Sequence, residues 1–207
     1  MIFKAVSGVS SPEVGHLWNS PLTLSENVSS ALDITTTHLG HYKNRIVLNW
    51  TTFNPQEVNV RLAYQTELVL EQHCGVTFYI LLSVLVRLVL YEKGNEVVSL
   101  KLNATGTNRL DWFSQANLIS SPWNDLTTAA NLLFFDMNGG WNRSFEITKS
   151  YGGCNADVGW LVITAASCPW ETRVAIPSIQ YSKLGNAVFW ENYGDVGIAD
   201  VLAVFAR

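Results

Sequence analysis

Cys154 and Cys168 are the two thiols close enough in sequence to be joined by a local loop, and Cys74 is left as an unmatched third. The chemistry this spacing allows is oxidation: closing a loop of about 15 residues is worth about 3 kcal/mol on a chain-entropy argument, provided the compartment is oxidising. The competing reading is a pair of buried reduced thiols, because free cysteine is itself a common core residue.

Eight tryptophans form the second chemical resource, at positions 18, 50, 112, 123, 141, 160, 170 and 190. Trp50 and Trp160 lie in strand-like apolar runs and are expected in the core. Trp112, Trp123 and Trp141 lie in expected loops beside Asp111, Asn124, Asp125 and other amides. An exposed indole stacks on the apolar face of a pyranose while neighbouring carboxylates and amides take its hydroxyls, so Trp112, Trp123, Trp141, Asp111, Asn124 and Asp125 are the candidate ligand contacts. Alternatively, these rings anchor loops onto the body of the domain with their N–H groups satisfied.

His38 and His41 are three apart and could meet on a metal if the segment turned helically. They lack partners: His16 and His73 are distant, no cysteine pair has ligand spacing, and Gly40 marks a turn, so a satisfied or solvated pair is expected. Asp111, Asn124, Asp125, Asn138 and Asp157 are loop oxygens of the kind Ca²⁺ prefers, without an EF-hand or glycine-rich repeat, and no cofactor is otherwise expected. No nucleophile elbow, organised Cys/His pair, His-Glu-x-x-His helix or phosphate-cradling loop is present. A spatial carboxylate pair is not visible in sequence, and Asp136, Glu146 and Glu171 are the residues that would supply one.

The elements that must position these groups read as β. Short runs rich in Val, Ile, Phe, Tyr and Trp recur between Gly, Asn, Pro and Ser clusters, near 2–6, 45–50, 57–62, 87–92, 96–103, 132–137, 143–148, 160–164, 187–191 and 199–206. Residues 86–102 read as a hairpin about Lys93-Gly94-Asn95, with Gly94 free to take positive φ. Short helical pieces are expected only around 114–119 and 126–131. The expected fold class is all-β: one antiparallel two-sheet sandwich over residues 1–207, jelly-roll or lectin-like, with little helix. The charged share of 14%, against a usual ~25%, leaves solubility to Asn, Ser, Thr and Gly. A net charge of −4 without a basic cluster argues against nucleic acid as a partner.

One stretch breaks the pattern. Val58-Asn-Val-Arg-Leu62 recurs as Val84-Leu-Val-Arg-Leu88, and removing residues 63–88 would join Leu62 to Val89 in a cleaner hairpin. Residues 63–88, which carry Cys74, are therefore read as an insertion. The apolar run 75–91 is also weighed as a membrane span, and disfavoured: its 17 residues fall short of the roughly 20 needed, Arg87 lies inside it, and a span would split the β-domain.

Asn27, Asn49, Asn103 and Asn142 head glycosylation triplets, though chance alone gives about 2.6 in a chain of this composition. The first eight residues lack a basic stretch followed by a long apolar core, so no leader is recognised and the chain is read as part of a larger secreted or surface protein. Several segments (Phe3-Lys-Ala-Val-Ser-Gly, Asp111-Trp-Phe-Ser, Ser121-Pro-Trp-Asn-Asp, Tyr151-Gly-Gly-Cys, Asp157-Val-Gly-Trp-Leu-Val-Ile, Cys168-Pro-Trp, Tyr181-Ser-Lys and Ala199-Asp-Val-Leu-Ala-Val-Phe) resemble an extracellular β-sandwich module of invertebrate matrix and adhesion proteins. That resemblance covers nearly the whole chain except about 63–88. It implies secretion and a binding or matrix role, with no defined activity. The expected function is non-enzymatic extracellular recognition or adhesion, with a glycan or an extracellular protein as partner. The alternatives are a carbohydrate-active enzyme domain and a purely structural matrix module.

Overall fold

A computed structural model describes residues 1–35, 40–52 and 84–207. Its strands are β1 Phe3–Val6, β2 Tyr42–Lys43, β3 Leu85–Glu92, β4 Asn95–Asn103, β5 Leu118–Ser120, β6 Phe134–Asn138, β7 Ser144–Ser150, β8 Val158–Ile163, β9 Ile179–Ser182, β10 Val188–Phe189, β11 Val196–Ala199 and β12 Val201–Ala206. One sheet runs β2-β1-β12-β3-β4-β5 and the other β11-β9-β8-β7-β6, with β10 also on β8; all pairings are antiparallel. The expected all-β two-sheet architecture is thus what the chain adopts.

Alternation explains the packing. In β4, Val98, Leu100 and Leu102 are buried while Val97, Lys101 and Asn103 are exposed, as a period of two requires when one face meets the core. The core between the sheets takes Phe3, Leu88, Leu90, Leu202 and Val204 from the first and Phe145, Ile147, Leu161 and Ile179 from the second. The β3–β4 hairpin turns where its sequence indicates: Lys93 and Gly94 have φ of 51° and 77°, and Asp200 accepts the Lys93 N–H.

Four expectations are corrected. Residues 45–50 form short 3₁₀ turns (Arg45–Val47, Trp50–Thr52), because Asn44 Oδ1 accepts the Ile46 N–H and the turn brings Val47 and Trp50, three apart, to the core. No helix forms over 126–131, where the Gln115 side chain takes the carbonyls of Leu126 and Ala129 at 3.0 and 2.8 Å. Residues 114–119 divide into a 3₁₀ turn (Gln115–Asn117) and the start of β5. The longest α-helix among the described residues is instead α1, Val14–Asn19, which buries Val14, Leu17 and Trp18; a second, α2, spans Pro169–Thr172.

Of the suspected insertion, residues 63–83 lie outside the described residues, while 85–88 are the first half of β3. Val86 and Leu88 are buried there, and Arg87 bonds Ser99. In a chain lacking 63–88, Val60, Arg61 and Leu62 would supply the same residue types in the same order. We expect that deletion variant to fold, with a melting temperature no lower than that of the full chain; loss of a cooperative transition would contradict the insertion reading. Residues 75–83 of the weighed membrane span, the expected strand 57–62 and Cys74 also lie outside the described residues. Residues 85–91 lie in β3, hydrogen-bonded to β4 and β12, and no described helix is long and apolar enough to cross a membrane.

Candidate functional site: a pocket over β7

In β7, Phe145 and Ile147 face the core, so Glu146 and Thr148 must face outward. They are nonetheless buried, because a layer of loops covers them. The loop 139–143 before β7 and the loop 151–157 after it fold back over this face and meet above Glu146. The first can lie that close because it is Gly139-Gly140: a Cβ at Gly139 would sit 2.7 Å from Glu146 Cβ, and one at Gly140 2.9 Å from Tyr151 Oη. Trp141, Asn142 and Phe145 take φ of 60°, 62° and 46°, a run of left-handed residues uncommon outside glycine. The third wall is 164–173, tied to the second by the Cys154–Cys168 disulfide. Cys154→Ser is expected to cost about 3 kcal/mol under oxidising conditions and little in reductant; equal melting temperatures for both proteins in both buffers would refute a stabilising bridge.

Arg143 organises the layer. Only 2% exposed, it donates from Nε and Nη2 to Glu171 Oε1 at 2.8 and 2.5 Å, with Glu146 at 3.5 Å from Nη1 and Asp157 at 3.7 Å from Nη2. Its guanidinium lies between the rings of Tyr151 and Trp170, 5.0 and 4.8 Å from their centroids. Burial works against its charge, but Glu171, Tyr151 and Glu146 outweigh burial and hold its pKa above the ordinary value. Glu171 is fully engaged, since Oε2 accepts the N–H groups of Ala165 and Ser167. Glu146 accepts from Gly140 N, Thr148 Oγ1 and Tyr151 Oη at 2.9, 2.8 and 2.6 Å. Burial, and then the Glu146 carboxylate, push the Tyr151 phenol well above its usual range, so it remains a donor.

Burial raises the Glu146 pKa above its ordinary 4.5 despite these bonds and Arg143. A raised folded pKa means that its contribution to stability is present below the unfolded value and is lost as pH rises through the folded one. Wild type is therefore expected to lose stability relative to Glu146→Gln on going from acid to neutral pH; a difference in melting temperature that is flat with pH would contradict this.

These walls enclose a pocket of about 280 Å³ lined by Trp141, Arg143, Tyr151, Asp157, Ser167 and the disulfide. Two lining groups lack hydrogen bonds. Arg143 Nη1 makes none, but it is sealed beneath the pocket wall with Glu146 at 3.5 Å. Asp157, 4% exposed, accepts the Gly152 N–H on Oδ1, but Oδ2 has only Arg143 Nη2 at 3.7 Å and the Cys168 sulfur at 3.8 Å, which carries no hydrogen in a disulfide. At the mouth stands Trp141, 70% exposed. A larger cleft of about 670 Å³ lies over β3, β4 and β12, but there Arg87 is already bonded to Ser99 and Glu96. The smaller pocket is the one whose wall holds a carboxylate oxygen, Asp157 Oδ2, without a hydrogen-bond donor.

The other candidate residues are elsewhere. Trp112 and Trp123 are buried, correcting the expectation of loop-surface rings: Trp112 stacks on Trp50 at 5.5 Å, and Trp123 donates to the Ser182 carbonyl at 3.0 Å. Asp111 is occupied by Asn108, and Asp125 by Trp160 Nε1 and Ala187 N; Asn124 is exposed, and its N–H is bonded to Gly185. Asn138 Oδ1 accepts from Asn19, and Asp136, a candidate for a carboxylate pair, accepts the Asn138 N–H. Among the described residues no group of three or more His, Cys, Asp or Glu could hold a metal. His41 is buried between Val6 N and the Val9 carbonyl, and His38 lies outside the described residues. Asn27, Asn49, Asn103 and Asn142 are all exposed.

Comparison with protein-family models, with curated proteins and with solved structures finds no match, so the site is read from its own geometry.

Proposed function

We propose that the chain is a non-enzymatic extracellular recognition module that holds one saccharide residue in the Trp141 pocket. The observation that carries this reading is that seven of the eight tryptophans are buried and the eighth, Trp141, is exposed at the mouth of a pocket whose wall holds a carboxylate oxygen, Asp157 Oδ2, with no N–H or O–H donor within hydrogen-bond distance. Stacking on an indole face, with a few placed polar groups for orientation, is how a ring with one apolar face and several hydroxyls is held. The volume lies at the lower edge of small-ligand sites, roughly 300–1,000 Å³, which suits a single ring. Asp157 is the one carboxylate among the described lining residues, whereas glycoside cleavage uses two, and this favours binding over catalysis. The disulfide and the exposed asparagines of the four glycosylation triplets support an extracellular setting.

A glycan array probed with the full chain and with Trp141→Ala tests the proposal. Binding that Trp141→Ala abolishes is expected. Silence across the array, or binding indifferent to Trp141, would sink it and leave the structural-module alternative.

A further inference from the structure

We infer that the pocket selects a saccharide carrying a primary ammonium, a glucosamine-type amino sugar, and that Asp157 Oδ2 is the atom that accepts its N–H; this rests on the saccharide reading above. Asp157 is 4% exposed in the pocket wall. Its Oδ1 accepts the Gly152 N–H, while Oδ2 has no N–H or O–H donor within hydrogen-bond distance. A buried carboxylate oxygen left without a donor is costly, so a ligand that brings one gains there. Arg143 does not fill that role. Nε and Nη2 are bonded to Glu171, Nη1 is sealed with Glu146 at 3.5 Å, and Nη2 stops 3.7 Å short of Asp157 Oδ2.

A hydroxyl and an amine both donate, and charge separates them. Glu146, Glu171 and Asp157 surround the one guanidinium, and Arg143 is the one cation among the described lining residues, so the wall carries net negative charge. Protonation of Glu146, whose pKa burial raises, would still leave Asp157 and Glu171 against Arg143 alone. An ammonium therefore supplies both the missing donor and the missing countercharge, and charge-assisted bonds are about twice as strong as neutral ones. A uronate or sialic acid meets the same wall with the wrong sign. The mouth adds a second contact: Arg143 already lies against the faces of Tyr151 and Trp170, whereas Trp141 is 70% exposed, and an indole attracts a cation within about 6 Å of its ring centroid. A quaternary ammonium would gain that attraction but has no N–H for Oδ2, so the primary amine fits both groups.

The test uses the full disulfide-bonded chain against probes on one linker ending in glucosamine, N-acetylglucosamine, glucose, glucuronate or a sugar-free alkyl amine. Glucosamine is expected to bind tightest. N-acetylglucosamine and glucose, which keep the ring and lose the charge, are expected to bind about tenfold or more weaker, the alkyl amine weaker by a similar factor, and glucuronate weakest. Asp157→Asn keeps an oxygen for the Gly152 N–H and removes the charge, so it is expected to bring glucosamine within about twofold of N-acetylglucosamine; an undiminished preference in a folded Asp157→Asn would overturn the role of Asp157. Wild type binding N-acetylglucosamine or glucose as tightly as glucosamine would overturn the ammonium class and leave the saccharide site standing. The alkyl amine binding as tightly as glucosamine would remove the saccharide reading and leave a bare ammonium site. No binding of any probe would remove both. The comparison of probes on wild type decides the question even if Asp157→Asn fails to fold.

Discussion

Arg143→Ala is expected to cost the domain about 3–5 kcal/mol, because removing one partner of a buried ion network leaves uncompensated charge behind. In this domain three carboxylates share one guanidinium: Glu171 would lose two charge-assisted bonds, and Glu146 and Asp157 the one cation within 4 Å of them among the described residues. The rings of Tyr151 and Trp170 would lose the plane packed against them. A domain of this size loses about 2–4 °C per kcal/mol, so a fall of roughly 10 °C in melting temperature is expected. The disulfide would persist, since the cysteines remain. A loss under about 1 kcal/mol by urea unfolding would contradict the role given to Arg143.

The second large effect separates two tryptophans that look alike in sequence. Trp112→Ala is expected to cost about 3–5 kcal/mol, as for other large aromatic-to-alanine changes in a core. Its ring stacks on Trp50 and lies 5.7 Å from Trp18, which itself meets Phe145 edge-on at 5.6 Å, so the deletion opens the centre of an aromatic cluster. Trp141→Ala is expected to change stability by less than about 0.5 kcal/mol, because an exposed ring leaves no cavity. Equal losses for the two variants would mean that Trp141 is an anchor rather than a displayed surface.

Strands facing one core were readable in the sequence because a period of two is a local signal, as in Val98, Leu100 and Leu102. The 93–95 turn was readable because Gly94 supplies a backbone conformation few other residues take. The Cys154–Cys168 bond was readable from proximity. Other elements were hidden. β2 and β5 have two and three residues and take their pairing from distant strands, and residues 45–50 turn because of one Asn side chain. α1 was missed although Val14, Leu17 and Trp18 already have helical spacing, a signal strong enough to have found it.

Legibility of the site was uneven in the same way. Trp141 and Asp157 stood out by residue type, yet Trp112 and Trp123 stood beside equally polar neighbours and are buried. Neighbouring Asn and Asp report that the backbone is in a loop and do not report where the ring points. Arg143 and Tyr151 gave no sequence signal, because their pairing depends on loops from both ends of β7 closing over one face. Gly139-Gly140 beside Trp141 was the nearest clue, since paired glycines mark a close backbone approach.

The most direct test follows the indole N–H resonances of all eight tryptophans while the sugar that binds best on the array is added. The account predicts that the resonance assigned to Trp141 shifts in a saturable way, that the Arg143 guanidinium resonances move with it, and that the buried indoles of Trp18, Trp112, Trp123 and Trp160 stay fixed. A saturable shift of those buried indoles with Trp141 unmoved would contradict the account and place the ligand elsewhere on the domain.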